Sequence, residues 1–170
     1  MMDFPTHPAW DFVARLYAAP GVAPACLELQ ERHGVDVTFM LFCLWRGSAD
    51  AKPLGENMRA LSDMAREWRD AVVLPLRAAR RRLKAEATAS SRPETKTLHQ
   101  TVLAAEIDCE HAELLMLADR AETLCGPPDG GGSAAVMAGN LAGFFEASGI
   151  KPAAQDAVAI AAIRDAAGTG

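Results

Sequence analysis

Three glutamates, Glu106, Glu110 and Glu113, are spaced so that an α-helix would carry them within about 60° of one another. Carboxylates grouped in this way can coordinate metal ions inside a helical bundle, or they can pair with arginine side chains. Apolar residues flank the three glutamates on both sides, so we expect the carboxylates to point toward protein as readily as toward water. This acidic stripe is the first candidate for chemistry in the chain.

A metal site built from Glu106, Glu110 and Glu113 would need further ligands from facing helices. The chain offers one D-x-x-H motif, Asp108 and His111, but these two residues lie on a different face of the same helix, and no E-x-x-H motif occurs anywhere. We therefore expect no metal, no cofactor and no catalytic residue. A carboxylate-bridged metal protein, or a small-molecule enzyme in the bundle core, is kept as an alternative.

Basic residues dominate the preceding segment, 55–86, which contains eight basic and five acidic side chains, whereas 94–125 contains two basic and seven acidic ones. The cations of this segment could bind an anion or a partner. These are Arg59, Arg66, Arg77, Arg80, Arg81 and Lys84. A phosphate ligand or a nucleic acid is therefore a second alternative. Nucleic acid is not favoured, because no aromatic side chain is interleaved with the basic run to stack on bases.

The two charged segments match each other in sign, which suggests that they form a helical hairpin. A turn near Ser91 would place Arg69 opposite Glu113 and Arg77 opposite Glu106. Partly buried carboxylates need partners, and guanidinium groups bond them in a bidentate manner. We predict these two ion pairs, which leave Glu110 and the arginines Arg59, Arg66 and Arg81 without an assigned role.

The elements that position these side chains are all predicted to be helices. Pro8 suits a first helical turn, Gly34 suits a left-handed cap after a helix, and Asp36 suits an N-cap. Phe39 to Trp45 is apolar on every side, which indicates a buried helix. The predicted helices are 8–18, 22–33, 37–45, 56–87 with an interruption at Pro75, 95–124, 134–147 and 153–166. The fold class is all-α, a single bundle of about five core helices plus a C-terminal pair of shorter ones.

The domain organisation follows from composition. Residues 1–125 are predicted to form the helical core domain, and 126–133, with Pro-Pro and Gly-Gly-Gly, a flexible linker. Residues 134–170 are predicted to form a C-terminal helical arm. Because an isolated pair of short helices is marginal in water, we expect this arm to pack on the core.

The whole chain has 170 residues, is half hydrophobic and has a formal net charge of -5, which argues against bulk electrostatic capture of nucleic acid or anionic lipid. No apolar run is long enough to span a membrane, and the N-terminus lacks a charged segment followed by an apolar one. A cytoplasmic location is expected. The four cysteines form no C-x-x-C motif, so we expect reduced thiols.

Several segments resemble a known family. They are W-x-F-x3-L-Y-x2-P-G-V at 10–22, C-L-x-L-Q at 26–30, H-G-V-D-V at 33–37, L-F-C-L-W at 41–45, the basic stretch 68–84 and A-E-I-D-C-E from Ala105. Over about residues 10–118 the chain is similar to a proteobacterial family of small helical proteins of unknown function. The resemblance implies a cytoplasmic, helical, bacterial protein and brings no catalytic residues with it.

The absence of a motif that names a reaction leads us to favour a non-enzymatic protein-interaction or regulatory module with a protein partner. Its oligomeric state is not predicted. The two alternatives above, an anion or nucleic-acid binder and a metal protein or enzyme, use the basic and the acidic stripe respectively.

Overall fold

The computed structural model describes residues 4–89 and 92–168, and the regular structure of these ranges is entirely helical. The α-helices are α1 (Pro8–Ala18), α2 (Val22–His33), α3 (Val37–Ala49), α4 (Met58–Trp68), α5 (Leu74–Ala89), α6 (Pro93–Cys125), α7 (Ala134–Ala147) and α8 (Ala157–Ala167). The predicted all-α fold is confirmed. The predicted hairpin turn near Ser91 lies outside the described residues.

The helix boundaries follow from local capping. The Asp36 carboxylate accepts a hydrogen bond from Phe39 N at 3.1 Å, which caps α3, and Gly34 ends α2 with φ of 67°, a conformation that favours glycine. At α1, His7 Nδ1 accepts from Ala9 N at 3.1 Å. These three boundaries coincide with those predicted, whereas α3 continues past Trp45 to Ala49.

The core is centred on α3, which is buried from Phe39 to Gly47 and packs against α1, α6, α7 and α8. Phe39 meets Phe144 of α7 edge to face, with ring centroids 5.3 Å apart. Arg46 is buried within this core. It forms an ion pair with Asp50 and donates to the Gly126 carbonyl at 2.5 Å. No helix of the described part is both long enough and apolar enough to cross a membrane.

A five-residue π-helical segment, Arg69–Val73, joins α4 to α5 where the sequence predicts an uninterrupted helical register apart from Pro75. Proline has no N–H and its ring clashes with the carbonyl four residues earlier, so wider turns before Pro75 relieve that clash. The segment inserts about one extra residue per turn. Side chains after it are therefore rotated by roughly 100° from the face that a regular α-helix would give them.

The C-terminal helices join the same core. Gly130 N donates to Ala49 O at 2.8 Å and Ser133 N donates to Gly47 O at 3.1 Å, so segment 126–133 lies along the end of α3. α7 packs along α3, and α8 packs on α2. The predicted division into a core, a flexible linker and an arm concerns motion and independent folding, and it stays a prediction.

Candidate functional site

Antiparallel packing of α5 on α6 brings part of the basic stripe against the acidic one. Glu106 accepts from Arg77 Nε at 2.9 Å and from Arg80 Nε at 2.5 Å, and each of its oxygens is used. Its side chain is only 5% exposed. The predicted pair of Arg77 with Glu106 is therefore confirmed, and Arg80 is a second partner that the hairpin register did not anticipate.

Glu110, which had no predicted role, completes this cluster. Its Oε1 accepts from Arg77 Nη2 at 2.8 Å, so Arg77 bridges two carboxylates one helical turn apart. Burial raises the pKa of Glu110, because Arg77 only partly offsets the loss of solvent and the charge of Glu106 adds to it. Burial would raise the pKa of Glu106 as well, but hydrogen bonds from Arg80 and Arg77 outweigh it and lower that pKa.

The predicted pair of Arg69 with Glu113 is wrong. Arg69 lies in the π segment, where its guanidinium contacts Asp70 at 3.1 Å and donates to Gly34 O at 3.1 Å. The α-helical register on which the prediction rested does not extend through this segment. Glu113 is nevertheless 2% exposed, and its partner comes from another element.

That partner is Asp36, the N-cap of α3. Asp36 Oδ2 and Glu113 Oε1 are both buried and find no N–H or O–H donor among the described residues, but the two carboxyl groups are within hydrogen-bonding reach of each other. Two ionised carboxylates cannot share a hydrogen bond, so one must carry a proton. Burial, together with the charge of Asp36, raises the pKa of Glu113 to about 10, which makes Glu113 the donor at neutral pH.

A pocket of about 520 Å³ opens beside the cluster, between α1, α2, α5 and α6 and the start of α3. Its walls are mainly apolar. They are formed by Trp10, Val13, Ala14, Tyr17, Ala18, Leu27, Val37, Leu103 and Ile107. Tyr17 and Leu27 are large apolar side chains that remain 39% and 48% exposed. An apolar cleft of this size with a few convergent polar groups is typical of a small-molecule site.

The polar groups that line the pocket retain unused hydrogen-bonding capacity. Besides Arg77, Arg80, Glu106 and Glu110, they are Gln30, Thr38 and Tyr17, and the Tyr17 hydroxyl lies within electrostatic range of Glu110 and Arg77. Within the described part of the chain, the side chains of Gln30, Thr38 and Tyr17 make no hydrogen bond, and none of their polar atoms is sealed from solvent. These residues therefore line the pocket with donors and acceptors that the described part of the chain does not use.

The six basic residues predicted to form one surface are not brought together. Arg77 and Arg80 turn inward to the cluster, whereas Arg59, Arg81 and Lys84 are exposed. Arg66 pairs on the surface with Asp63 at 2.6 Å. The change of face between Arg66 and Arg77 occurs across the π segment, so these two arginines do not share one face of a continuous α-helix.

The D-x-x-H motif has a packing role at His111. Its ring stacks on Trp10 with centroids 3.8 Å apart and an interplanar angle of 4°, and Phe4 lies 4.5 Å away. Burial lowers the pKa of His111. In ranges 4–89 and 92–168, no group of three or more His, Cys, Asp or Glu residues is placed to hold a metal ion.

Sequence reasoning missed the pocket because its walls come from helices far apart in the chain. From the sequence, Asp36 is predicted only to cap a helix. The cap is real, but it does not account for the second oxygen of Asp36. The one usable signal was Glu110, an acidic residue on a flanked helix face with no partner in the predicted hairpin.

Together these features define an all-helical protein with an apolar pocket whose polar end is a partly buried arginine and glutamate cluster. The chain belongs to the family described as Protein of unknown function (DUF2390), whose model matches residues 8–117. This agrees with the family resemblance drawn from the sequence, although the proteobacterial origin stays a prediction. Every residue that lines the pocket falls inside the matched range, whereas α7 and α8 lie beyond it.

Comparison with curated proteins gives no match, and comparison with solved structures gives none either.

Proposed function

We propose that this protein is a non-enzymatic small-molecule-binding module that takes a largely apolar ligand into the pocket between α1, α2, α5 and α6. The observation that carries the proposal is the pocket of about 520 Å³, apolar on its walls and ending at Arg77, Arg80 and Glu110. Ligand sites combine apolar walls with a few fixed polar groups in this way. The ion pairs hold that polar end in place before a ligand arrives, which lowers the ordering cost of binding.

Two further observations support binding over catalysis. The residues that line the pocket include no histidine, cysteine or serine to act as a nucleophile or a general base. Of the two carboxylates in the pocket, Glu106 has both oxygens bonded to guanidinium groups and a lowered pKa, so it is a weak proton acceptor. Glu110, with a raised pKa and one oxygen free, is the group on which the enzyme alternative would rest. A ligand-binding module is also one form of the regulatory module that the sequence favours.

The test uses N-phenyl-1-naphthylamine, an uncharged apolar molecule whose fluorescence rises when it leaves water. We expect saturable binding to the wild-type protein at a single site. Ala14, an exposed residue on the pocket wall, is replaced in the variant Ala14→Trp to fill the pocket from its rim, and binding should weaken by about tenfold or more.

The matched control is Ala79→Trp, which places the same ring at an exposed helical position that does not line the pocket. It should leave the dissociation constant unchanged. The proposal is wrong if the wild-type protein shows no saturable binding, or if Ala14→Trp and Ala79→Trp bind the probe equally well.

The predicted protein partner remains a proposal of lower rank. The feature that supports it is a groove of about 640 Å³ between α7 and α8, with Leu141, Phe145 and Ile160 on its floor. The nucleic-acid alternative has less support, because Arg77 and Arg80 are engaged with glutamates and the remaining cations are dispersed.

A cytoplasmic location is also proposed. It is supported by the four cysteines, all of which are free thiols, with Cys26 and Cys43 buried. Free thiols persist in reducing compartments, whereas secreted proteins tend to oxidise them. Fractionation of the source cells, with detection by antibody, tests this expectation.

A further inference from the structure

We propose that the ligand is an apolar monocarboxylic acid, a fatty or aryl acid whose carboxylate binds Arg77 and Arg80 while its apolar body lies along α1 and α2. This inference rests on the proposed function, because it names the chemical class for the same pocket.

The polar end of the pocket has a surplus of donors. Arg77 uses Nε and Nη2, and Arg80 uses Nε with a longer contact from Nη2 at 3.4 Å. Among the described residues, neither Nη1 group has a partner, and neither is sealed from solvent. Each guanidinium carries more N–H groups than its bonds to glutamate consume. Both arginines line the pocket, so these free groups are available to a ligand.

The acceptors of the same cluster are nearly exhausted. Both oxygens of Glu106 are bonded, and one oxygen of Glu110 is bonded to Arg77. A ligand rich in acceptors therefore complements the pocket better than one rich in donors. A carboxylate meets this need, because its two oxygens match the geometry of guanidinium N–H groups.

A cationic head group fits poorly for two reasons. It would lie beside two guanidinium groups, and it would have to compete with Arg77 for the remaining capacity of Glu110. A phosphate would bring more negative charge than a cluster with two arginines and two glutamates can balance. A carboxylate brings a single charge, and Glu110, whose pKa burial already raises, is the neighbour best able to accommodate it by taking up a proton.

The apolar part of the ligand has a defined place. Trp10, Val13 and Tyr17 lie one helical turn apart along α1 and form one wall, and Leu103 and Ile107 of α6 form another. Contact with these side chains would cover the apolar surface that Tyr17 and Leu27 now expose to solvent. An acid with a long alkyl chain or an aryl group satisfies both ends of the pocket at once.

The experiment compares three molecules with the same alkyl chain, decanoate, decan-1-ol and decylamine, by isothermal titration calorimetry at pH 7. We expect decanoate to bind about tenfold tighter than decan-1-ol, since hydrogen bonds to a charged partner are worth more than neutral ones. Decylamine should be the weakest of the three. The same titrations are repeated with the variants Arg80→Gln and Arg81→Gln.

Arg80→Gln should lose the preference for decanoate while keeping the affinity for decan-1-ol, which also shows that the variant is folded. Arg81→Gln removes an exposed neighbouring charge and should behave as wild type. Equal affinities for decanoate and decan-1-ol, a preference for decylamine, or an unchanged preference in Arg80→Gln would overturn the carboxylate assignment and leave the ligand-binding proposal standing. If none of the three molecules binds the wild-type protein, the ligand-binding proposal itself fails.

Discussion

Two carboxyl groups on one face of α6 are stabilised in opposite protonation states. Glu106 is kept ionised by Arg77 and Arg80, whereas Glu113 is buried beside Asp36 and keeps its proton. The difference arises from the partner that each helix supplies, since α5 brings guanidinium groups and the start of α3 brings another acid. Residues two turns apart on the same helix therefore respond to pH with opposite signs.

Replacing the proton-carrying acid, Glu113→Gln, tests this arrangement. The folded-state pKa of Glu113 is raised to about 10 from an ordinary value of 4.5, so the folded state binds more protons than the unfolded state between these values. Wild-type stability should therefore fall as pH rises through this window. The variant cannot ionise and can still donate to Asp36. We expect it to be more stable than wild type by at least about 1 kcal/mol at pH 9, with little difference at pH 4.5, measured by urea unfolding.

Glu106→Gln provides the comparison of opposite sign. The lowered pKa of Glu106 contributes stability above its unfolded pKa, and this contribution is lost as pH falls through the folded value. Breaking this buried pair should cost about 3 kcal/mol at pH 7 and less below pH 4. The shared proton is contradicted if the difference in free energy of unfolding between Glu113→Gln and wild type does not change with pH.

At this scale, sequence reasoning recovered one of the two ion pairs predicted for the hairpin. Arg77 with Glu106 follows from the charge pattern and the hairpin. Asp36 with Glu113 does not, because the two residues are 77 positions apart in the chain and no spacing rule connects an N-cap to the middle of a distant helix. The burial of Glu113 beside Asp36 becomes visible only once α3 and α6 are packed together.

At the scale of elements, glycines set how closely the chain approaches the end of α3. A Cβ at Gly132 would lie 2.1 Å from both the carbonyl carbon and the oxygen of Ser48, and one at Gly47 would lie 2.6 Å from Met137 Cα. These are backbone atoms, which cannot move aside as a side chain can. Segment 126–133 and the start of α7 can therefore reach α3 only with glycine at these positions.

Gly132→Ala should consequently destabilise the protein by about 3 kcal/mol, since the added methyl group forces backbone to separate. The measurement is the midpoint of urea unfolding. Gly139→Ala is the matched control, because its Cβ would meet nothing nearer than Pro53 Cγ at 3.6 Å. That substitution in the middle of α7 should be neutral or stabilising by up to about 1 kcal/mol. A variant Gly132→Ala as stable as wild type would contradict the close approach.

The helices themselves were largely predictable. The predicted bounds of α1, α2 and α7 agree with the observed ones. Proline in a first turn, glycine after a last turn and the spacing of apolar residues were the signals used. Two features were not predictable. The close approach at Gly132 depends on the backbone that lies opposite it. The π segment depends on how the helix accommodates Pro75. The local sequence shows the glycine and the proline but no pattern that predicts either feature.

For the whole molecule, a single buried carboxylate ties the last helix to the second. Asp156 is fully buried at the start of α8 and accepts from Ala153 N at 2.6 Å and from His33 Nε2 at 2.8 Å, and it also pairs with Arg32. Burial alone would raise the pKa of Asp156, but these hydrogen bonds outweigh it and lower the pKa. The tie therefore weakens as pH falls through that lowered value.

Asp156→Asn should loosen α8, because the amide puts a donor where His33 and Arg32 donate. We expect faster hydrogen exchange across Ala157–Ala167 and a Tm lower by several degrees, with exchange in α3 less affected. Asp165→Asn, which changes an exposed acid in the same helix that pairs with its neighbour Arg164, is the control and should change neither quantity. Equal protection of α8 in both variants would mean that Asp156 does not hold it.

The π segment between α4 and α5 has a consequence for how the chain could vary among relatives. It separates one long helix into α4, whose arginines are exposed to solvent, and α5, whose Arg77 and Arg80 line the pocket. Loss of one residue within Arg69–Val73 would restore an unbroken α-helix and rotate every later side chain by about 100°. Chain length at this point therefore determines the polar end of the pocket as strictly as residue identity does.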